Sequence, residues 1–279
     1  MLPINQWMNK KNYIFPKILF IIIPDSKLEV YFMKKNLLHR KMIGLTSGLL
    51  CSLVLAACPA ALSAPYVDLS HQEEARMPVD PSLKLPEQEF FSRIDGDKNK
   101  FNLEVISFCP HTGTHMDAPF HVNPQGHTVE AWPADVLIGP AVVVAVGHAG
   151  NYTISKEDIV NWEKQYGPIQ AKEGVLLHTG HDANWTKGYD AYIGNGYPTI
   201  SLEAAQYLAS KKIRYIAVEA ISPEGNSSEV HKTFMNQGIP VIENICNLVG
   251  LANKRIRTTG TFPAVKGATG VWIRLLAEE

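Results

Sequence analysis

The chain has 279 residues, 46% of them apolar, and a formal net charge of −1. That length suits one large domain, or at most two, with a core that needs no covalent staples. Charge is unevenly placed: residues 1–64 hold 8 Lys/Arg and 2 Asp/Glu, leaving 18 against 25 over 65–279, so the body is acidic and excludes nucleic acid or an anionic membrane as its natural partner.

From the N-terminus, Met33 opens a segment in which Lys34, Lys35, Arg40 and Lys41 precede a 16-residue uncharged, mostly apolar run, Met42–Ala57, and then small residues. This is the layout of a bacterial export signal, and the run is short for a membrane span; a membrane anchor is the other reading. Residues 1–32 then precede the expected start. Leu55–Cys58 resembles a lipoprotein cleavage box that would lipidate Cys58, with cleavage after Ser63 or Ala64 as the rival. The expected organisation is an N-terminal extension over 1–64 and a single domain over 65–279, exported if the signal is used and cytoplasmic otherwise. Cys109 and Cys246 remain in the body; they form one bond or stay as buried thiols, and the second is favoured.

In the body, Tyr66–Ser70 reads as a first strand and Gln72–Asn102 as a polar, proline-punctuated surface excursion. Phe101–Phe108 reads as a strand leading into a histidine-rich segment. Ala141–Val146 is a buried strand. Ser155 with Asp158 has capping-box spacing for a helix to about Gln165. Gly174–Gly180 is a strand ending in a glycine turn, and Ser201–Lys211 a helix with Leu202, Ala205, Leu208 and Ala209 on one face. A strand over Arg214–Ala220, a helix over Ser228–Gln237 closed by Gly238, and strands over Ile239–Glu243 and Val271–Ala277 complete an α/β pattern richer in strand than helix.

The chemistry concentrates in "HTGTHMDAPFH", residues 111–121: three histidines and an aspartate in eleven positions. Gly113 and Pro119 oppose a helix. In a partly extended segment His115 and Asp117 project from one side, and a turn returns His111 to the same point. Imidazole and carboxylate together suit a divalent ion such as zinc or manganese. His127, His148, His178 and His181 read as structural or solvent-facing. The aromatic and glycine-rich stretch Trp185–Pro198 reads either as a pocket wall or as loop packing.

The same eleven residues resemble the signature His-x-Gly-Thr-His-x-Asp-x-Pro-x-His of the metal-dependent cyclase-like hydrolases, a family that includes bacterial kynurenine formamidases and isatin hydrolases. Matching positions are His111, Gly113, Thr114, His115, Asp117, Pro119 and His121. "DLS" near Tyr66, Leu176–Gly180, Ser222–Ser227 and Thr261–Gly270 look like further landmarks. His178 and Glu219 depart from the arginine and aspartate often found at those places. The resemblance implies a swivelling β/β/α fold, a mixed, barrel-like β core flanked by helices. It implies one or two ions per chain, held by His111, His115 and Asp117 and, through a His–Glu pair of the family's spacing, by His231 and Glu243. His121 is then the acid/base residue. The implied reaction is hydrolysis of an amide C–N bond, with N-formylkynurenine or a cyclic amide such as isatin as substrate. A metal-binding protein without catalysis is the competing class, and His121 argues against it. Trp132, Trp185 and Phe262, each in or near an expected loop, are candidate walls for an aromatic ring. A homodimer or homotetramer is expected from relatives.

Overall fold

The computed structural model describes residues 66–94 and 100–279 in full, and outside them two paired strands. The chain divides into two compact units, Met1–Leu62 and Ser63–Glu279. In the first, β1 (Ile18–Ile22) pairs antiparallel with β2 (Leu28–Phe32). The export pattern over Lys34–Ala57 and Cys58 lies outside the described residues.

The second unit is a single α/β domain built on one curled, mixed sheet of nine strands. Its strands, in chain order, are β3 (Val67–Asp68), β6 (His115–Asp117), β7 (Gly139–Ala145), β9 (Gly174–His178), β11 (Tyr215–Val218), β12 (Val241–Glu243), β13 (Arg255–Thr261), β14 (Gly270–Trp272) and β15 (Arg274–Glu278). Two small pairs stand apart: β4 (Glu87–Ser92) with β5 (Leu103–Ser107), and β8 (Thr153–Ile154) with β10 (Thr199–Ile200). The spatial order is β14-β6-β12-β11-β9-β7-β13-β15-β3. The central four, β12, β11, β9 and β7, are parallel, and antiparallel strands extend both sides.

Period-two alternation divides the core. Val142, Val144, Val175, Leu177, Ile216, Val218 and Val241 face one side, where three helices cover them: α1 (Lys156–Tyr166), α2 (Leu202–Ser210) and α3 (Glu229–Met235). Ala141, Val143, Leu176, Tyr215, Ala217 and Ile242 face the other side, which the outer strands and loops close with Leu69, Met116, Leu137, Val271 and Leu275. Both halves of the capping box at α1 form, Ser155 Oγ accepting from the Asp158 N–H and Asp158 accepting from the Ser155 N–H. Ile159 and Trp162, one turn apart, then enter the core.

Three expectations change. The excursion over Gln72–Asn102 contains β4, which pairs with β5 as a hairpin outside the main sheet. Its apolar residues face solvent: Phe91 is 64% exposed, Val105 54% and Ile106 52%. Alternation in that stretch therefore signalled a strand without signalling burial. The C-terminal strand is two, β14 and β15, broken at Ile273, whose N–H turns to the Thr114 carbonyl. And β13 went unread, because its buried positions Ile256, Thr258 and Gly260 include only one large apolar residue.

Candidate metal centre

β6 places the first donors. Its pleat sends His115 and Asp117 to one face and Met116 into the core. Antiparallel pairing sets His115 directly opposite Glu243 of β12, so two donors 128 positions apart become a cross-strand pair. On the other side Asp117 lies opposite Gly270 of β14. A side chain there would collide with the site: a Cβ on Gly270 would come 2.7 Å from His111 Cε1 and 3.3 Å from Asp117 Oδ1. α3 delivers His231 from above β12.

Five predicted ligands therefore converge. His111 Nδ1 lies 2.8 Å from Asp117 Oδ1, and His115 Nε2 lies 3.3 Å from the same oxygen and 3.2 Å from Glu243 Oε2. His231 Nε2 lies 3.5 Å from Asp117 Oδ2 and 3.1 Å from Glu243 Oε1. His121 stands at the rim, its ring 4.0 Å from that of His111. Donor atoms of His111, His115 and Asp117, and of Asp117, His121 and His231, each lie within 4.8 Å of one another.

In each of the three candidate ligand histidines, the nitrogen that points away from the cluster is engaged. His111 Nε2 is 2.8 Å from Thr269 Oγ1, His115 Nδ1 donates to the Gly113 carbonyl at 2.9 Å, and His231 Nδ1 donates to Glu224 Oε1 at 2.6 Å. This fixes which nitrogen faces inward. Glu224 also accepts from the N–H groups of Val230 and His231, capping α3 where Ser228 makes no side-chain cap. Sequence reading missed Glu224 and Thr269, although both fall inside stretches it had marked.

Electrostatics agree with a cation site. Burial pushes the Asp117 carboxyl up, but His115, His111 and His231 outweigh it and hold it well below the carboxylate range. Burial depresses His115, yet Asp117 and Glu243 carry it well above the usual histidine value; His231 rises likewise through Asp117, Glu224 and Glu243. The two buried carboxylates thus favour positive charge within the cluster. His115 Nε2 and both Asp117 oxygens are nonetheless buried without a hydrogen-bond partner. They crowd at near-contact distance in poor hydrogen-bond geometry, which a shared divalent ion would relieve. At the rim, burial keeps His121 below the ordinary histidine value against the pull of Asp117, leaving a neutral imidazole near pH 7.

Two of the expected aromatic walls serve elsewhere. Trp132, 7% exposed, packs in the core behind the metal loop and donates its indole N–H to the Asp117 carbonyl. A buried indole needs such a partner. Trp185, 6% exposed, has its face covered by the His71 ring at 3.9 Å and meets Tyr192 edge-on. Phe262 is partly buried against the second core. Cys109 and Cys246 are both free thiols, Cys246 buried and Cys109 partly so.

Comparison with known proteins places this geometry. The chain is 26% identical over 186 residues to a kynurenine formamidase of Paracidovorax citrulli, covering 64% of this chain and 80% of that one. It is 29% identical over 147 residues to a kynurenine formamidase of Bacillus cytotoxicus, covering 52% and 65%. Among solved structures, isatin hydrolase A from Labrenzia aggregata superposes with a TM-score of 0.70 at 24% identity, over 81% of this chain and 98% of that one. A predicted metal-dependent hydrolase from Bacillus stearothermophilus superposes with a TM-score of 0.62 at 26% identity, over 76% and 97%. A family model described as "Putative cyclase" matches residues 67–225, the metal loop included. That match spans more than half of the sequence, and the chain belongs to the cyclase family.

Proposed function

We propose that this protein is a metal-dependent hydrolase of an aryl formamide or related amide C–N bond, with N-formylkynurenine as the leading substrate, giving kynurenine and formate. One observation carries the reading: buried, unpartnered donors of His115 and Asp117 converge with His111, His231 and Glu243, while His121 stands beside them at the rim. A zinc or manganese ion bound there supplies Lewis acidity, lowering the pKa of water and polarising the scissile carbonyl. Thr269, Gly113 and Glu224 hold the three ligand imidazoles in one orientation. His121, neutral and solvent-facing, takes the proton of the attacking water and returns it to the leaving nitrogen. Ring-opening of a cyclic amide is the second reading, supported by the likeness of the fold to isatin hydrolases. The reading includes export through the Met33–Ala57 segment, which cell fractionation tests.

The deciding experiment is a paired assay. Zinc- or manganese-loaded protein is given N-formylkynurenine and isatin, and release of arylamine and isatinate is followed. Cleavage of the formamide supports the first reading, cleavage of isatin alone reverses the order, and failure on both with metal bound defeats both substrates.

A further inference from the structure

The candidate ligands come from two parts of the chain. His111, His115 and Asp117 belong to the metal loop and β6, while Glu243 ends β12 and His231 stands on α3. β6 and β12 pair over only two positions, Met116 with Ile242 and His115 with Glu243. The ladder that joins the two parts thus stops at the ligands themselves.

Asn244, the residue after Glu243, continues the connection by other means. At φ +56° it lies in the left-handed region, which asparagine enters more readily than most residues. Its N–H donates to the Ala220 carbonyl at 3.0 Å, on the β11 side. Towards the metal loop, its Nδ2 donates to the Gly113 carbonyl at 2.8 Å, and its own carbonyl accepts from Thr114 Oγ1 at 2.6 Å.

The Gly113 carbonyl is also the acceptor for His115 Nδ1, at 2.9 Å. It therefore serves two donors, one from a ligand imidazole and one from Asn244. Gly113, at φ +62°, has no side chain to fix its own peptide, so an external donor sets the direction of that carbonyl. A carbonyl can only accept, which turns the amide nitrogen of Asn244 towards Gly113 and leaves Oδ1 for the Tyr192 hydroxyl at 2.8 Å. The Tyr192 proton is shared with the Glu219 carbonyl at 2.6 Å. Asn244 is 2% exposed and Tyr192 is fully buried. The backbone N–H, the carbonyl, Nδ2 and Oδ1 of Asn244 all have partners. A buried amide satisfied on every side is rigid, and it passes that rigidity to the carbonyl it holds.

We infer that Asn244 is a positioning residue of the metal centre. Through the Gly113 carbonyl it sets the ring of His115, and as the chain neighbour of Glu243 it ties that second ligand to the same loop. The inference rests on the metal-dependent reading of the site and adds to it a residue outside the histidine-rich motif.

The test uses the full-length protein loaded with cobalt(II), whose visible absorption bands respond to the arrangement of its ligands. The cobalt dissociation constant by chelator competition, the visible spectrum, and urea unfolding of the metal-free protein are read together. Asn244→Gly removes the amide and keeps a residue suited to positive φ. Its cobalt affinity should fall about 10–100-fold, with displaced bands, as for other losses of a ligand's outer partner. Tyr192→Phe leaves Asn244 and every ligand contact in place. It should displace the bands in the same direction and weaken cobalt about 2–10-fold, the range for one hydrogen bond, and it carries the test if Asn244→Gly does not fold. Variants that lose stability in urea yet keep the wild-type cobalt constant and spectrum make Asn244 a structural residue only and overturn the inference. A wild-type protein that binds no cobalt overturns it together with the metal-dependent function. The expected losses in a protein that cleaves neither N-formylkynurenine nor isatin keep the inference and defeat those substrates.

Discussion

Glu224 satisfies two backbone N–H groups of α3 and the outward nitrogen of His231 with a single carboxylate. Glu224→Gln keeps the shape but removes the charge that steadies that imidazole. Metal affinity should fall about 10–100-fold, read by competition with a chromogenic chelator. His121 calls for the opposite outcome: His121→Ala should keep its metal and lose turnover by about 10²–10⁴-fold. Loss of metal in that variant would make His121 a ligand. At this scale the cluster was legible because three histidines and an aspartate share one short window, and a single strand, β6, presents two of the candidate ligands. Glu224 and Thr269 were silent because their roles exist only after folding; Thr269 meets His111 across 158 positions. Trp132 and Trp185 misled because proximity to a loop says nothing about burial, and both fill core space.

Between elements, α1 is tied to α2 and the following loop by Glu163. Its carboxylate accepts from Lys211 Nζ at 2.8 Å, the Ile169 N–H at 2.7 Å and the Tyr207 hydroxyl at 2.5 Å. Burial pushes this carboxyl up, but those donors win and hold it below the ordinary glutamate value. A depressed folded-state value means that the stabilisation is present above the unfolded pKa, near 4.5, and is lost as pH falls through the folded one. Glu163→Gln should cost about 1–3 kcal/mol at pH 7 and much less at pH 3, measured by urea unfolding. The hairpin of β4 and β5 is a different case. Two strands alone are marginal in water, and this pair exposes Phe91, Val105 and Ile106. Should the protein form the homodimer or homotetramer that its sequence leads one to expect, we propose this hairpin as the contact. The double variant Phe91→Glu, Val105→Glu should then run as a monomer in light scattering, and an unchanged mass would assign the contact elsewhere. Helices and central strands were legible from their period and caps. The hairpin's separation from the sheet was not, since alternation reports the pleat and leaves the choice of neighbour open.

For the whole molecule, the site concentrates unfavourable burial. Asp117 and Glu243 lie side by side inside the domain, and besides burial the charge of Asp117 works against that of Glu243. A cation that binds only the folded chain adds about 2.7 kcal/mol at one hundred times its dissociation constant. Zinc or manganese should therefore raise the melting temperature by about 5–10 °C, and a chelator should reverse it. A flat melting curve would deny a structural role to the ion. The sheet order has a further consequence, for the timing of synthesis. β6 cannot acquire its partner β12 until a chain emerging at about 5–20 residues per second has delivered Glu243. Until then His111, His115 and Asp117 sit on an unpaired segment, lacking both His231 and the backing of β14. The nascent chain thus carries three of the five candidate ligands for much of its translation, and full metal capture at this site would mark a finished polypeptide rather than template its folding.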